Sequence, residues 1–156
     1  MTRPAFDHAG FAALLADPAT VKVLAVPGPG DLPRLVPVPA LQEGEQGRLV
    51  LPERHESAES QRGLLRALWY DRPVTLLLTH PDGRALELHA RPLQAHVTGP
   101  LFLRHYQELR GREGDVGLSA VWEIAVEAGF DQSLAARDAA EAARHPGFTH
   151  LDRIAV

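Results

Sequence analysis

VKVLAVPGPGDLPRLVPVPALQEGEQGRLVLPE, residues 21–53, is the stretch whose reading decides the fold. VKVLAV (21–26) is a short β-branched run of strand type. PGPGD (27–31) is turn chemistry throughout. PRLVPVPAL (33–41) reads as the returning strand. Its Pro37 and Pro39 have no N–H to give a ladder, so this strand belongs at an edge or beside a split in the sheet. QEGEQG makes a second turn and RLVLPE a third strand. No helix intervenes among the three. A parallel crossover needs about a dozen residues or more, so the sheet is expected to be antiparallel.

The pattern continues outward on both sides. PAFDHAGFAALLA (4–16) spaces Phe6, Phe11, Leu14 and Leu15 at mainly helical intervals, with Asp7 as a cap and Asp17-Pro18 as the stop. After residue 53, Leu64, Leu65, Leu68 and Trp69 fall on one helical face, which predicts a helix over about 58–70 with Ser57 as N-cap. Gly63 weakens that helix by about 1 kcal/mol relative to Ala. VTLLLTH and RALELHARPLQAHV flank PDGR, a hairpin signal with Asp82-Gly83 in the turn. Thr98 or Gly99 caps a further helix that Pro100 opens. LSAVWEIAV (118–126) is a sixth strand, and SLAARDAAEAAR (133–144) a last, Ala-rich helix. The tail FTHLDRIAV has no firm assignment. Six strands in hairpin-like succession, with helices inserted and one at each end, predict a mainly β (α+β) single domain. It is a small antiparallel barrel with peripheral helices. The N-terminal helix spans about 4–16, the barrel about 20–126 and the C-terminal helix about 132–145.

Composition narrows the function. The 156 residues are 45% hydrophobic and 23% charged, with a net charge of −4. There is no basic excess to neutralise a nucleic-acid backbone. Cysteine is absent, which removes disulfides, thiolate catalysis and Cys-ligated metals and fits a reducing cytoplasm. No apolar run is long enough to cross a bilayer, and MTRPAFDHAGF has no signal-peptide core. Lys22 is the sole lysine against fifteen arginines, so Arg fills positions where relatives use Lys. Walker, dinucleotide, G-x-S-x-G and H-E-x-x-H signatures are missing. The eight histidines show no ligand spacing on one helix face, and no metal site is expected.

Two groups carry chemistry. Ser57, Ser60 and Arg62 stand at a predicted helix start, where free N–H groups and partial positive charge receive an anion. From these residues alone the plainer reading, an ordinary cap followed by a solvated face, is favoured. Arg34 adds a cation on the returning strand and serves either an anion or edge protection. Trp122 lies in a strongly apolar strand, where an aromatic side chain fills a core or walls a cofactor. Glu87, His89 and Arg91 share one face of the fifth strand, either open to solvent or lining a polar cavity.

The order of these elements over roughly residues 5–126 resembles the flavin-binding split-barrel superfamily, the pyridoxamine 5′-phosphate oxidase-like proteins. The resemblance rests on the run from VKVLAV through PRLVPVPAL, GRLVLPE, the Ser-rich loop, Asp-Arg-Pro and VTLLL to ELHARPLQAHV. It implies a split barrel, homodimerisation, and flavin mononucleotide (FMN) held between subunits in an oxidoreductase acting on a small molecule. Arg34 takes the place of the arginine that reaches FMN. Ser60-Gln61-Arg62 takes the place of the family's serine-x-lysine, with Ser57 in a neighbouring role. Trp122 stands for the aromatic wall. LVLPE lacks the family's threonine, and Pro39 stands where a strand-ending lysine is usual. HLDRIAV lacks the arginine-x-histidine of the true oxidase, so vitamin B6 oxidation is not expected. The alternatives are a divergent, non-catalytic ligand-binding barrel without flavin or with a deazaflavin or haem, and a histidine-ligated metal hydrolase.

Overall fold

The computed structural model describes residues 7–147. Helix α1 (His8–Ala16) is followed by strands β1 (Val21–Val26), β2 (Arg34–Pro37), β3 (Gln42–Glu43) and β4 (Leu49–Glu53). Then come helix α2 (Glu59–Trp69), strands β5 (Val74–Thr79) and β6 (Ala85–His96), helix α3 (Pro100–Glu113), strand β7 (Ala120–Asp131) and helix α4 (Leu134–Arg144). All seven strands form one antiparallel sheet in the order β2-β1-β5-β6-β7-β4-β3. The architecture is the expected antiparallel barrel with peripheral helices. The seventh strand is the two-residue β3, inside a stretch whose glycines read as turn. Asp7 caps α1 as expected, accepting from the Ala9 and Gly10 N–H groups. Residues 4–6 of the expected first helix and the tail from 148 lie outside the described residues.

The sheet curls because its connectivity demands it. β2 and β3 are its two edges, yet they are consecutive in the chain. Seven flat strands would hold those edges about 29 Å apart. The chain from Pro37 to Gln42 spans at most about 18 Å. Closure is fastened by Lys22. Its carbonyl accepts from the Val38 N–H at 2.9 Å, and its ammonium donates to the Leu41 carbonyl at 2.7 Å.

The long strands β6 and β7 carry the barrel across. Residues 86–90 of β6 pair with both β5 and β7, whereas Arg91–His96 pair only with β7, whose start in turn pairs with β4. Register shifts at His89/Ala90 and Pro92/Gln94 bend the pair. Pro92 sits at the second shift, where it has no neighbour on the β5 side to disappoint. Along β5, Val74, Leu76 and Leu78 face inward and Thr75, Leu77 and Thr79 outward, the period-two alternation of a sheet with one covered face.

Helix α2 closes the barrel from inside. Ser60, Gly63, Leu64 and Ala67 are buried at i, i+3, i+4 and i+7, which defines the face it lays on the sheet. Small residues at 60, 63 and 67 let the backbone approach closely. A Cβ at Gly63 would lie 2.2 Å from Val26 Cγ2. This rotation corrects the sequence reading, which put Trp69 on the buried face. Leu64 is inside, Leu65 and Leu68 are half-buried, and Trp69 is 80% exposed beside an exposed Tyr70. The core is completed by Trp122, Leu24, Leu41, Leu49, Leu76, Leu78, Leu88 and Ile124.

Candidate anion-binding site at the start of helix α2

The N-cap of α2 is Ala58, not Ser57, and it makes no side-chain cap. Ser57 is exposed one residue earlier. The reason is local: Ala58 takes the extended backbone of an N-cap, with φ −60° and ψ 143°, and the helix begins at Glu59. The first-turn N–H groups therefore have no side-chain oxygen of the cap residue on them, which leaves the positive end of the helix available.

The fold brings Arg34 to this end. The first residue of β2 lies next to the first residue of α2, with Arg34 Nε 4.0 Å from Glu59 Oε2 and both side chains about half exposed. Such a contact contributes little to stability. Its value is positional, since it places a guanidinium from a distant strand beside an uncapped helix. Arg62, one turn along, is exposed and has no ion pair among the described residues.

Ser60 and Trp122 are placed differently. Ser60 is buried, and its hydroxyl donates to the carboxylate of Glu53, the last residue of β4. The other Glu53 oxygen accepts from the His55 N–H at 3.2 Å. A carboxylate of the chain itself thus holds the serine hydroxyl where the resemblance expects a phosphate. Trp122 is fully buried, paired across the ladder with Leu51, and its indole N–H donates to Gln61 Oε1 at 2.6 Å. Its ring belongs to the core and not to an open cleft. Of the five expected site residues, Arg34 reaches Glu59 at the start of α2, Arg62 and Ser57 are exposed on and just before that helix, and Ser60 and Trp122 are buried. Glu53 and Gln61 are the residues sequence reasoning missed. The signal for Gln61 was a polar residue beside Ser60 on the small-residue face of the helix.

The outer surface offers a second element. Leu35 and Pro37 on β2, Val21, Val23 and Ala25 on β1, and Thr75 and Leu77 on β5 share one outward face through the register Leu35↔Ala25↔Thr75 and Pro37↔Val23↔Leu77. Leu35, Val21 and Leu77 are exposed there. His89, next across the sheet, is bonded to Glu87 at 2.7 Å and lies against Phe130 with ring centroids 4.8 Å apart. Glu87 also accepts from Gln132 at 2.8 Å. The carboxylate, imidazole and amide of this face therefore partner one another.

No protein-family model and no curated protein sequence matches the chain. Solved structures do. HupZ of Group A Streptococcus, in an epitope- and histidine-tagged form, aligns with a TM-score of 0.66 at 11% identity, over 83% of this chain and 96% of that one. A pyridoxamine 5′-phosphate oxidase-type protein of Listeria innocua aligns at 0.59 and 18%, covering 80% and 97%. An FMN-binding protein of Syntrophomonas wolfei aligns at 0.59 and 12%, covering 79% and 84%. At such identities the likeness is one of fold. With its curled antiparallel sheet, its crossing β6–β7 pair and its enclosed α2, the chain has the split-barrel fold of the pyridoxamine 5′-phosphate oxidase-like proteins.

Proposed function

We propose that this protein binds a flavin-type cofactor, FMN, with the phosphate at the start of α2, and works as an oxidoreductase on a small molecule. The observation that carries the reading is the meeting of Arg34 with the uncapped first turn of α2, 25 positions away in sequence. Arg34, Arg62 and the first-turn N–H groups supply the charge-assisted donors that a phosphate dianion requires. Ser57 stands at the rim. Bound flavin would supply the electron-transfer chemistry, so the chain need provide no acid, base or metal of its own. The apolar outer face of β2, β1 and β5 supports a homodimer, with the ring of the cofactor between subunits; Trp122, buried on β7, takes no part in it.

Glu53 favours a second reading. Its carboxylate already occupies the Ser60 hydroxyl, and Glu59 draws on Arg34. A barrel whose own carboxylates fill the anion position would bind a ligand without a phosphate there. The test is a titration of full-length protein with FMN, followed by quenching of flavin fluorescence. The first reading expects saturable binding that Arg62→Ala weakens by about 10- to 150-fold, the loss of one charge-assisted contact of about 1.5–3 kcal/mol. No saturable binding, with no shift in melting temperature under excess FMN, would leave the second reading standing.

A further inference from the structure

A cavity of about 390 Å³ lies away from α2. It is enclosed by α1, the barrel-closing segment 39–43, the end of β4 and the last turns of α3. Alternation along β4 separates the two places. Glu53 turns toward Ser60 of α2, while Pro52 and Arg54 line this cavity. The volume falls in the range of small-molecule sites, about 300–1,000 Å³.

Its wall has two characters. Leu15, Leu41, Leu109 and neighbouring alanines and prolines form an apolar side. The polar side carries Lys22, Arg54 and Arg112 against Glu43, Glu108 and Glu113, an equal count of opposite charges. Some of these are already matched. Arg54 is bonded to Glu113 at 2.8 Å. Glu108 lies 3.6 Å from Nδ1 of His105, which is 8% exposed. Burial pushes the His105 imidazole below its ordinary value, so it tends to the neutral form and leaves the Glu108 charge largely uncompensated.

What remains is one set of unmatched cations and one of unmatched anions. The Lys22 ammonium has three hydrogens and uses them on two carbonyls, Leu41 at 2.7 Å and Pro39 at 3.5 Å, so one is left. Arg112 and Glu43 have no ion pair among the described residues. A simple anion would satisfy Lys22 and Arg112 and be repelled by Glu43 and Glu108. A simple cation would meet the reverse. We propose that this cavity is a second binding site, for a small zwitterion with an apolar body, of the size and charge pattern of an α-amino acid. Its carboxylate goes to Lys22 and Arg112, its ammonium to Glu43 and Glu108, and its side chain to the Leu15–Leu41–Leu109 wall.

The experiment uses three probes of one carbon skeleton on the full chain. L-Leucine carries both charges, 4-methylpentanoate lacks the ammonium, and 3-methylbutylamine lacks the carboxylate. Amide chemical-shift perturbation in ¹⁵N spectra reads binding. L-Leucine is expected to give saturable shifts confined to the segments that line the cavity, residues 12–16, 22, 39–43, 52–54 and 105–113, with each truncated probe at least tenfold weaker. Arg112→Gln and Glu43→Gln, both at exposed positions, should each weaken leucine at least fivefold and leave the melting temperature unchanged. The absence of saturable leucine shifts overturns the proposal. So does equal or tighter binding of the carboxylate or the amine alone, or leucine affinity unaffected by both substitutions.

Discussion

Replacing Gly63 by alanine sets two known effects against each other. In an isolated helix the change is worth about 1 kcal/mol in favour of folding, because glycine loses more backbone freedom. In this protein the new Cβ would lie 2.2 Å from Val26 Cγ2, 2.3 Å from Val26 Cβ and 3.0 Å from Cγ1. Carbon atoms rest at about 3.5–4.0 Å, so two of the three contacts overlap by more than 1 Å. Rotating Val26 about χ1 moves its methyls and leaves its Cβ where it is. Relief therefore requires α2 to lift off β1, which opens a gap around Leu64 and Ala67. Overpacking of this kind costs about 1–3 kcal/mol, and this geometry belongs at the upper end. The net expectation is destabilisation by about 2 kcal/mol, a fall in melting temperature of about 4–8 °C. Urea unfolding followed by far-UV circular dichroism measures it. Val26→Ala in the same chain removes the two methyl contacts but not the Cβ contact, so it should recover part of the loss, with a coupling of about 1 kcal/mol. A Gly63→Ala protein that is more stable than the wild type would refute the close approach of α2 to β1.

Three further outcomes follow from named contacts. Gln61→Leu leaves the buried Trp122 indole N–H without its 2.6 Å acceptor and should cost about 1–3 kcal/mol; an unchanged urea midpoint would mean that another acceptor takes over. Glu123 is held below its ordinary 4.5 by the Arg48 guanidinium at 2.6 Å and then by His96. With its folded pKa depressed, the unfolded chain takes up the proton first. The stability this carboxylate contributes is present above about pH 4.5 and is lost as pH falls through the folded value, so Glu123→Gln should flatten the stability profile on the acid side of about pH 4.5. Glu53→Thr frees the Ser60 hydroxyl and removes a competing charge, so FMN should bind about tenfold more tightly; unchanged or weaker binding would show that Glu53 does not stand in the phosphate's place.

The fold was largely legible because it is written in short-range chemistry. Pro37 and Pro39 marked the edge, Asp82-Gly83 the hairpin, Asp7 the first cap, and the lack of a crossover helix among the first three predicted strands the antiparallel order. What escaped was decided by distant partners. Trp69 carries the right spacing for a buried face, yet Gly63 and Ala67 fit the sheet more closely and turn it outward. β3 exists only because β4 returns beside Gln42 and Glu43. The candidate site divides the same way. Arg34, Arg62 and Ser57 could be picked out by residue type and position along the chain. The pairing of Ser60 with Glu53 could not, because it joins the end of a strand to the face of a helix across a loop. Nothing in sequence spacing said that Lys22 would fasten one end of the barrel and line the cavity beside α1 and α3 as well.

The seam at residues 38–41 has a bearing on how molecules of this protein meet. An open sheet offers its bare edges as templates, and strand can add to strand without limit. Here the outermost strands are four and two residues long, Pro37 and Pro39 withhold their N–H groups, and the linker turns one edge into the other. Growth by strand addition is therefore blocked while Lys22 holds the seam. The homodimer proposed above would use a broad face instead, covering the apolar surface around Leu35 and Leu77. Protection of the sheet edges thus rests on the short chain between β2 and β3, fastened by the Lys22 side chain on two backbone carbonyls and by the Val38 N–H on the Lys22 carbonyl.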